Sequence, residues 1–199
     1  MRLIKIIFKV TFRLIEKSMD YFSNVYSHFL FWVHDVEYSS NIKFKGVPII
    51  RKSSNSSMKI NANCKFNSSY SSNLIGVNRP CILHTANKAI LSIDSDSGLS
   101  GTVIGCFVKI TIGKNVKIGS NSLITDGDWH SSDTRSGEPK PVNIGDNVWV
   151  GEGVKILKGV NIGKNTLIGA GSVVTKSIPE NVIAAGNPCK VIKSIKLKE

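Results

Sequence analysis

Residues 144–179 read IGDNVW, VGEGVK, ILKGVN, IGKNTL, IGAGSV, VTKSIP, six blocks of six residues. Ile or Val opens every block, at 144, 150, 156, 162, 168 and 174. Gly follows it at 145, 151, 163 and 169, and the fifth place holds a small or branched residue throughout. Upstream the phase continues through IGKNVK (112–117), IGSNSL (118–123) and the opening of ITD at Ile124. A period of six matches neither the 3.6 of a helix nor the 2 of a strand. It matches a triangular β-solenoid, in which each block is one short strand plus a corner and three blocks close one coil. The opening aliphatics then point inward and stack as ladders. Asn at the fourth place (Asn115, Asn121, Asn147, Asn165) suits corners that need a left-handed backbone. Nine blocks in one phase exclude a chance Gly-rich β chain. Before Ile104 the pattern is ragged, as in INANCK (60–65) and FNSSYS (66–71).

One interruption breaks the phase. Ile124 and Ile144 are separated by more than a full coil, and DGDWHSSDTRSGEPKP lies between them. Its Gly, Pro and charged residues predict a loop, 127–141, extruded from the prism. A solenoid loses no core packing by extruding a loop at a corner, and such loops commonly carry function.

The chain has 199 residues, enough for one domain with an appendage. With 41% hydrophobic and 20% charged residues it is neither disordered nor a coiled coil. Lys plus Arg outnumber Asp plus Glu by 26 to 14, giving a net charge of +12. That excess suits anionic partners. Outside the N-terminus no aromatic–basic interleaving accompanies it, so nucleic acid is not expected. Cys64, Cys81, Cys106 and Cys189 form no C-x-x-C pair, and the sequence predicts four reduced thiols in a cytoplasmic protein.

Residues 1–40 differ in character. Lys5, Lys9 and Arg13 interrupt the apolar opening, so it does not read as a signal peptide, and Tyr21–His34 is too short to span a bilayer. Lys5, Lys9, Arg13 and Lys17 form one basic stripe on a helix, with Ile6, Ile7, Val10, Leu14 and Ile15 covering a broad opposite face. Two readings stand: a helical cap on the solenoid, or a peripheral helix at the inner, anionic face of a membrane. The organisation is thus 1–40 as helical cap or membrane-proximal segment, 41–188 as β-helix, and 189–199 as basic tail.

Over about residues 60–195 the chain resembles the hexapeptide-repeat acyltransferases, and more narrowly the sugar O-acetyltransferases of bacterial surface-polysaccharide clusters. The match is carried by ITIGKNVKIGSNSLITDGDWH and by IGDNVW through NPCKVIK. The resemblance implies an all-β, left-handed parallel β-helix with an N-terminal helical segment, since periodicity gives no hand. It implies acetyl-CoA as acyl donor, a carbohydrate acceptor and a homotrimer with each active site between two prisms. It implies His130 as the catalytic base. A sugar hydroxyl is a poor nucleophile at neutral pH, and a neutral imidazole can take its proton during attack on the thioester. Asp126 and Asp128 are candidates to orient or tune it.

The resemblance further implies Trp149 and Gly151 beside the thioester arm, and Gly169 and Ala170 beside the pantetheine. Thr175, Lys176, Ala185 and Gly186 follow along the same ligand, and Lys190 and Lys193 approach the CoA phosphates. Where the galactoside enzymes place Asn against the acceptor, this chain has DSDSGLSG, so Ser97 or Ser100 would have to serve or else be solvent-facing turn residues. A three-imidazole metal site on the same solenoid is not expected, because only His84 and His130 lie in it. His84, in CILHT, is left with an inward or subunit-facing role open. Two further alternatives remain: a different small acceptor such as serine or an antibiotic, and a non-catalytic scaffold.

Overall fold

A computed structural model describes residues 1–130 and 132–196. Ser131 in the loop and residues 197–199 of the basic tail lie outside the described residues. One helix, α1 (Arg2–Val33), precedes a prism of three parallel sheets with six, eight and six strands. Up to Val173–Val174 each strand pairs with the third strand before and after it, the signature of a three-sided coil, and only the last two strands of face 2 depart from that rule. Face 1 runs from Glu37–Tyr38 to Asn161–Ile162, face 2 from Lys43–Lys45 to Lys190–Ser194, and face 3 from Ile49–Lys52 to Val173–Val174. The architecture is the left-handed parallel β-helix.

The inward residues stack in register. Face 1 carries Ile60, Ile93, Ile112, Ile144 and Ile162. Face 2 carries Phe44, Phe66, Leu99, Ile118, Val150, Ile168 and Ala184. Face 3 carries Ile50, Leu83, Ile104, Ile124, Ile156 and Val174. All are buried. Each such side chain contributes roughly 1.5–3 kcal/mol of burial, so a charge at Ile118 or Ile124 would break two neighbouring coils.

The corners follow the sequence. Asn115, Asn121, Asn147 and Asn165 all have φ between +54° and +62°, where Asn costs less than most residues. Three of them form a hydrogen-bonded column along the edge between faces 1 and 2. Asn115 donates to Asn147 at 3.0 Å, Asn147 to Asn165 at 3.1 Å, and Asn165 to Asn181 at 2.9 Å.

The two ends close differently. At the C-terminal end, Lys190–Ser194 folds back antiparallel on Val182–Ala185, so the basic tail begins as a strand. At the N-terminal end, α1 covers the open edge of face 2: the Phe44 N–H donates to Asn24 Oδ1 at 2.9 Å and the Gly46 N–H to Ser23 Oγ at 3.1 Å. Phe31 is fully buried there, with its ring 4.9 Å from that of Phe44. Covering this edge blocks strand addition.

Candidate active site

The loop leaves the prism where face 3 passes to face 1, and Asp126 forms its neck. The Asp126 side chain is fully buried. Its carboxylate accepts three successive backbone N–H groups, from Phe107 at 2.5 Å, Val108 at 2.9 Å and Lys109 at 2.6 Å. Three convergent amides make an anion-binding concavity. Its carbonyl accepts the Lys140 N–H at 2.8 Å, tying the far end of the loop to the near end. Asp126 is therefore a corner-fixing group, and no hydrogen bond joins it to His130 among the described residues. Asp126, one of the two candidates to orient or tune the histidine, thus holds the loop's neck and makes no direct contact of that kind.

Beyond the neck the loop lies on an aromatic wall. The Trp129 ring sits 5.5 Å from His84 and 5.2 Å from Phe107, centroid to centroid. Gly105 makes this possible, since a Cβ there would collide with the Trp129 ring. His84 Nδ1 is buried without a partner. Burial pushes the His84 pKa down, against the opposing pull of the Asp126 charge, and so favours the neutral imidazole. His84 thus belongs to the base of the loop.

His130 itself is exposed. Its carbonyl is held by the Asp133 N–H at 3.0 Å and by Ser136 Oγ, which turn the loop back on itself. Asp128 does not reach for His130 either. It accepts Lys158 Nζ at 2.6 Å and the Gly137 N–H at 3.0 Å. The Lys158 ammonium lowers the Asp128 pKa, with the Gly137 amide second. Lys158 also donates to the Gly137 carbonyl at 3.0 Å. A shallow cleft of about 240 Å³ is lined by Asp128, Trp129, His130, Asp133, Arg135 and Ser136.

A second lane runs along face 2. Opposed residues in paired strands project from the same side of a sheet. Lys117, Trp149, Leu167, Ile183 and Lys193 stand opposite one another in turn, as one outward row. Beside it the chain narrows to Gly119, Gly151, Gly169 and Ala185. Among these, a Cβ on Gly151 would lie 2.5 Å from the Ala170 amide, and one on Gly169 2.8 Å from the Ala185 Cβ. Trp149, Leu167, Gly151, Gly169 and Ala170 line a largely apolar cleft of about 450 Å³. At the end of the lane a register shift lets Lys190 face Ala185 and Lys193 face Ile183. Ala185 and Ile183 point the same way, so both lysines do.

The structure thus gathers Trp149, Gly151, Gly169, Ala170, Ala185, Lys190 and Lys193 on face 2. Gly186 ends the same strand at φ +107°. It does not bring Thr175 and Lys176 there. They follow Val173–Val174 on face 3 and lie along the edge that carries the loop. The Gly169 N–H is donated to Ala184 and its carbonyl accepts Ser172 Oγ at 2.6 Å, so only the carbonyl's second lone pair is left for a ligand. Ser97 and Ser100 are corrected, because neither faces solvent. Ser97 Oγ donates to the Gly113 carbonyl and accepts the Val116 N–H, both at 2.9 Å. Ser100 Oγ accepts Asn67 at 3.0 Å and Asn73 at 3.2 Å.

Sequence reasoning passed over Lys158, Gly105 and Phe107. Only their place in the coil beside the loop marks them, and nothing in the period of six does. Among the described residues, no group of three His, Cys, Asp or Glu side chains could hold a metal ion.

Comparisons with known proteins match the repeat and the fold. The family model "Bacterial transferase hexapeptide (six repeats)" matches residues 141–176, and "Hexapeptide repeat of succinyl-transferase" matches 109–127. Galactoside O-acetyltransferase of Escherichia coli K12 is 50% identical over 90 residues, 43% of this chain and 44% of that protein. A protein of the same strain named as the lipopolysaccharide biosynthesis O-acetyl transferase WbbJ is 41% identical over 103 residues, 45% of this chain and 53% of its own length. The chain therefore spans about half the length of the curated relatives it matches. The solved structure of AntD, an N-acyltransferase from Bacillus cereus in complex with dTDP and 3-hydroxybutyryl-CoA, superposes with a TM-score of 0.65. That superposition covers 85% of this chain and 88% of AntD at 19% identity, a likeness of fold.

Proposed function

We propose that this chain is a hexapeptide-repeat acyltransferase, the family whose models match residues 109–127 and 141–176, and that it transfers an acetyl group from acetyl-CoA to a sugar hydroxyl in the assembly of a surface polysaccharide. The observation that carries the reading is the lane on face 2. A row containing Trp149 and Leu167 flanks a floor of glycine and alanine, and the lane ends at two cations on one outward face. An extended, amide-bearing chain with phosphates at one end fits such a track, because small residues permit close approach and Lys190 and Lys193 offer charge to the phosphates.

The chemistry rests on His130. Its imidazole takes the proton of the acceptor hydroxyl as the oxygen attacks the thioester carbonyl. The carbon–sulfur bond then breaks, and the proton passes to the departing CoA sulfur. The loop stands on the edge between faces 3 and 1, the edge that does not border face 2. One prism therefore presents its lane and its histidine on opposite sides. This supports a trimer in which the lane of one copy meets the loop of the next. Similarity to a galactoside O-acetyltransferase and to WbbJ supports a carbohydrate acceptor, and glycan intermediates are built at the inner face of the membrane, where we place the enzyme.

The test is release of free thiol from acetyl-CoA against a panel of glycan repeat units, nucleotide sugars and free sugars. His130→Ala should lower transfer by about 10²–10⁴-fold, the worth of a positioned general base, while leaving acetyl-CoA binding intact. Turnover at the parent rate in that variant would remove the histidine from the mechanism. A panel on which only a non-sugar hydroxyl reacts would overturn the acceptor class.

A further inference from the structure

The side of α1 that docks on the prism is its polar side. Ser23, Asn24, Ser27 and Phe31 make the contact, at helical spacings of three and four. Continued toward the N-terminus, that stripe is Arg13, Lys9, Lys5 and Arg2, with Glu16, Lys17 and Asp20 between. The apolar side therefore points away from the protein. Ile4, Phe8, Leu14, Phe22, Phe29 and Trp32 are each more than half exposed. At about 100° per residue the apolar sector runs from Val10 round to Phe12, roughly 200° of the helix.

We infer that this sector is a lipid contact, and that α1 lies in the plane of an anionic leaflet with the prism standing on its polar side. Three observations select lipid over a second copy of the chain. The seam of a helical bundle is narrower than this sector, whereas an acyl layer can take the whole of it. Arg2, Lys5, Lys9 and Arg13 all precede the first acidic residue, Glu16, so the free end of the helix is purely cationic and complements anionic headgroups. The basic residues recurring every four leave no helix, among the described residues, long and apolar enough to cross a membrane, which leaves the in-plane attitude. Because α1 covers the first strand of face 2, the bilayer lies against the N-terminal end of the prism. The strand that leads into the His130 loop is the fourth on face 3, roughly 14 Å further along the axis at about 4.8 Å per strand.

This inference stands apart from acetyl transfer, and its test needs no activity. The full-length protein is floated with vesicles of phosphatidylglycerol and phosphatidylcholine, or of phosphatidylcholine alone. Binding to the anionic vesicles should exceed binding to the neutral ones by at least about tenfold and should fall as salt rises from 0.1 to 0.5 M, where screening shortens to a few Å. Ile4→Glu, Phe8→Glu and Phe22→Glu combined should stay in the unbound fraction with the parent's melting temperature and oligomeric mass. Lys5→Glu with Lys9→Glu, which leaves the apolar sector whole, should lose the preference for anionic vesicles. Failure of the parent to float at low salt would overturn the inference, as would undiminished floating of the triple variant. A triple variant that changes oligomeric mass would assign the face to contacts between copies instead.

Discussion

Lys158 and Asp128 form an ion pair of 2.6 Å that ties the extruded loop to the coil above it. Lys158 sits on the same face-3 edge one coil later, so the loop is held at its middle as well as at its neck. Lys158→Ala should leave the melting temperature close to the parent's, because an exposed ion pair contributes little to stability. It should slow acetyl transfer severalfold by releasing the segment that carries His130. The lowered Asp128 pKa sets the pH window. The anchor is complete at neutral pH and is lost only as the pH falls below the ordinary carboxylate range. Comparing the parent and Lys158→Ala from pH 5 to 8 should give a constant ratio.

Asp126→Ala strips three backbone amides of their buried acceptor. Each buried donor left unsatisfied costs about 1–3 kcal/mol, so this variant should melt well below the parent. If Asp126 served only to orient His130, the variant would lose turnover at an unchanged melting temperature, which thermal scans would reveal.

Gly169→Val should lose stability before it loses ligand. Its Cβ would meet the Ala185 Cβ at 2.8 Å, so the last coils must separate, at about 1–3 kcal/mol for such overpacking. Saturating CoA should still raise its melting temperature, by less than the parent's increment, because the new side chain also narrows the floor of the lane. A variant that melts like the parent but no longer responds to CoA would reverse this assignment.

Lys190→Glu with Lys193→Glu should weaken CoA binding far more than dephospho-CoA binding. Both side chains project from one outward face, so both can meet a single phosphate cluster. Calorimetric titration of the two ligands measures the difference. Equal losses on both would show that these lysines do not read the 3′-phosphate.

The four cysteines are free and buried. Burial, reinforced by the Asp126 charge, pushes the Cys106 thiol up to about 12, and burial takes Cys64 to about 11. None should react with a maleimide in the native protein at pH 8, because the thiolate is the nucleophile. Since the folded state holds these protons more tightly, stability should be full below about pH 9 and should decline as the pH rises toward 12.

The period of six made the prism legible from Ile104 to Ile178, because equal spacing of inward residues is a one-dimensional signal. Below Ile104 the same three ladders continue through Ile60 and Ile93, through Phe44, Phe66 and Leu99, and through Ile50 and Leu83. There, corners of unequal length separate Phe66 from Leu83, and phenylalanines replace the aliphatics. Inwardness is kept while spacing is not, so the repeat is invisible in the sequence.

The sequence by itself determined the three-sided coil, the left-handed Asn corners and the departure of the loop around His130, since each depends on residues near in the chain. Tertiary structure alone decided the partners of Asp126 and Asp128, the burial of Ser97 and Ser100, and which side of α1 faces the prism. Stacking brings residues of different coils within hydrogen-bonding distance, and spacing along one chain does not specify which pairs meet. Lys158 reaches Asp128 because one coil of the prism, extruded loop included, separates them. Lys190 and Lys193 share a face because a register shift turns one of them over.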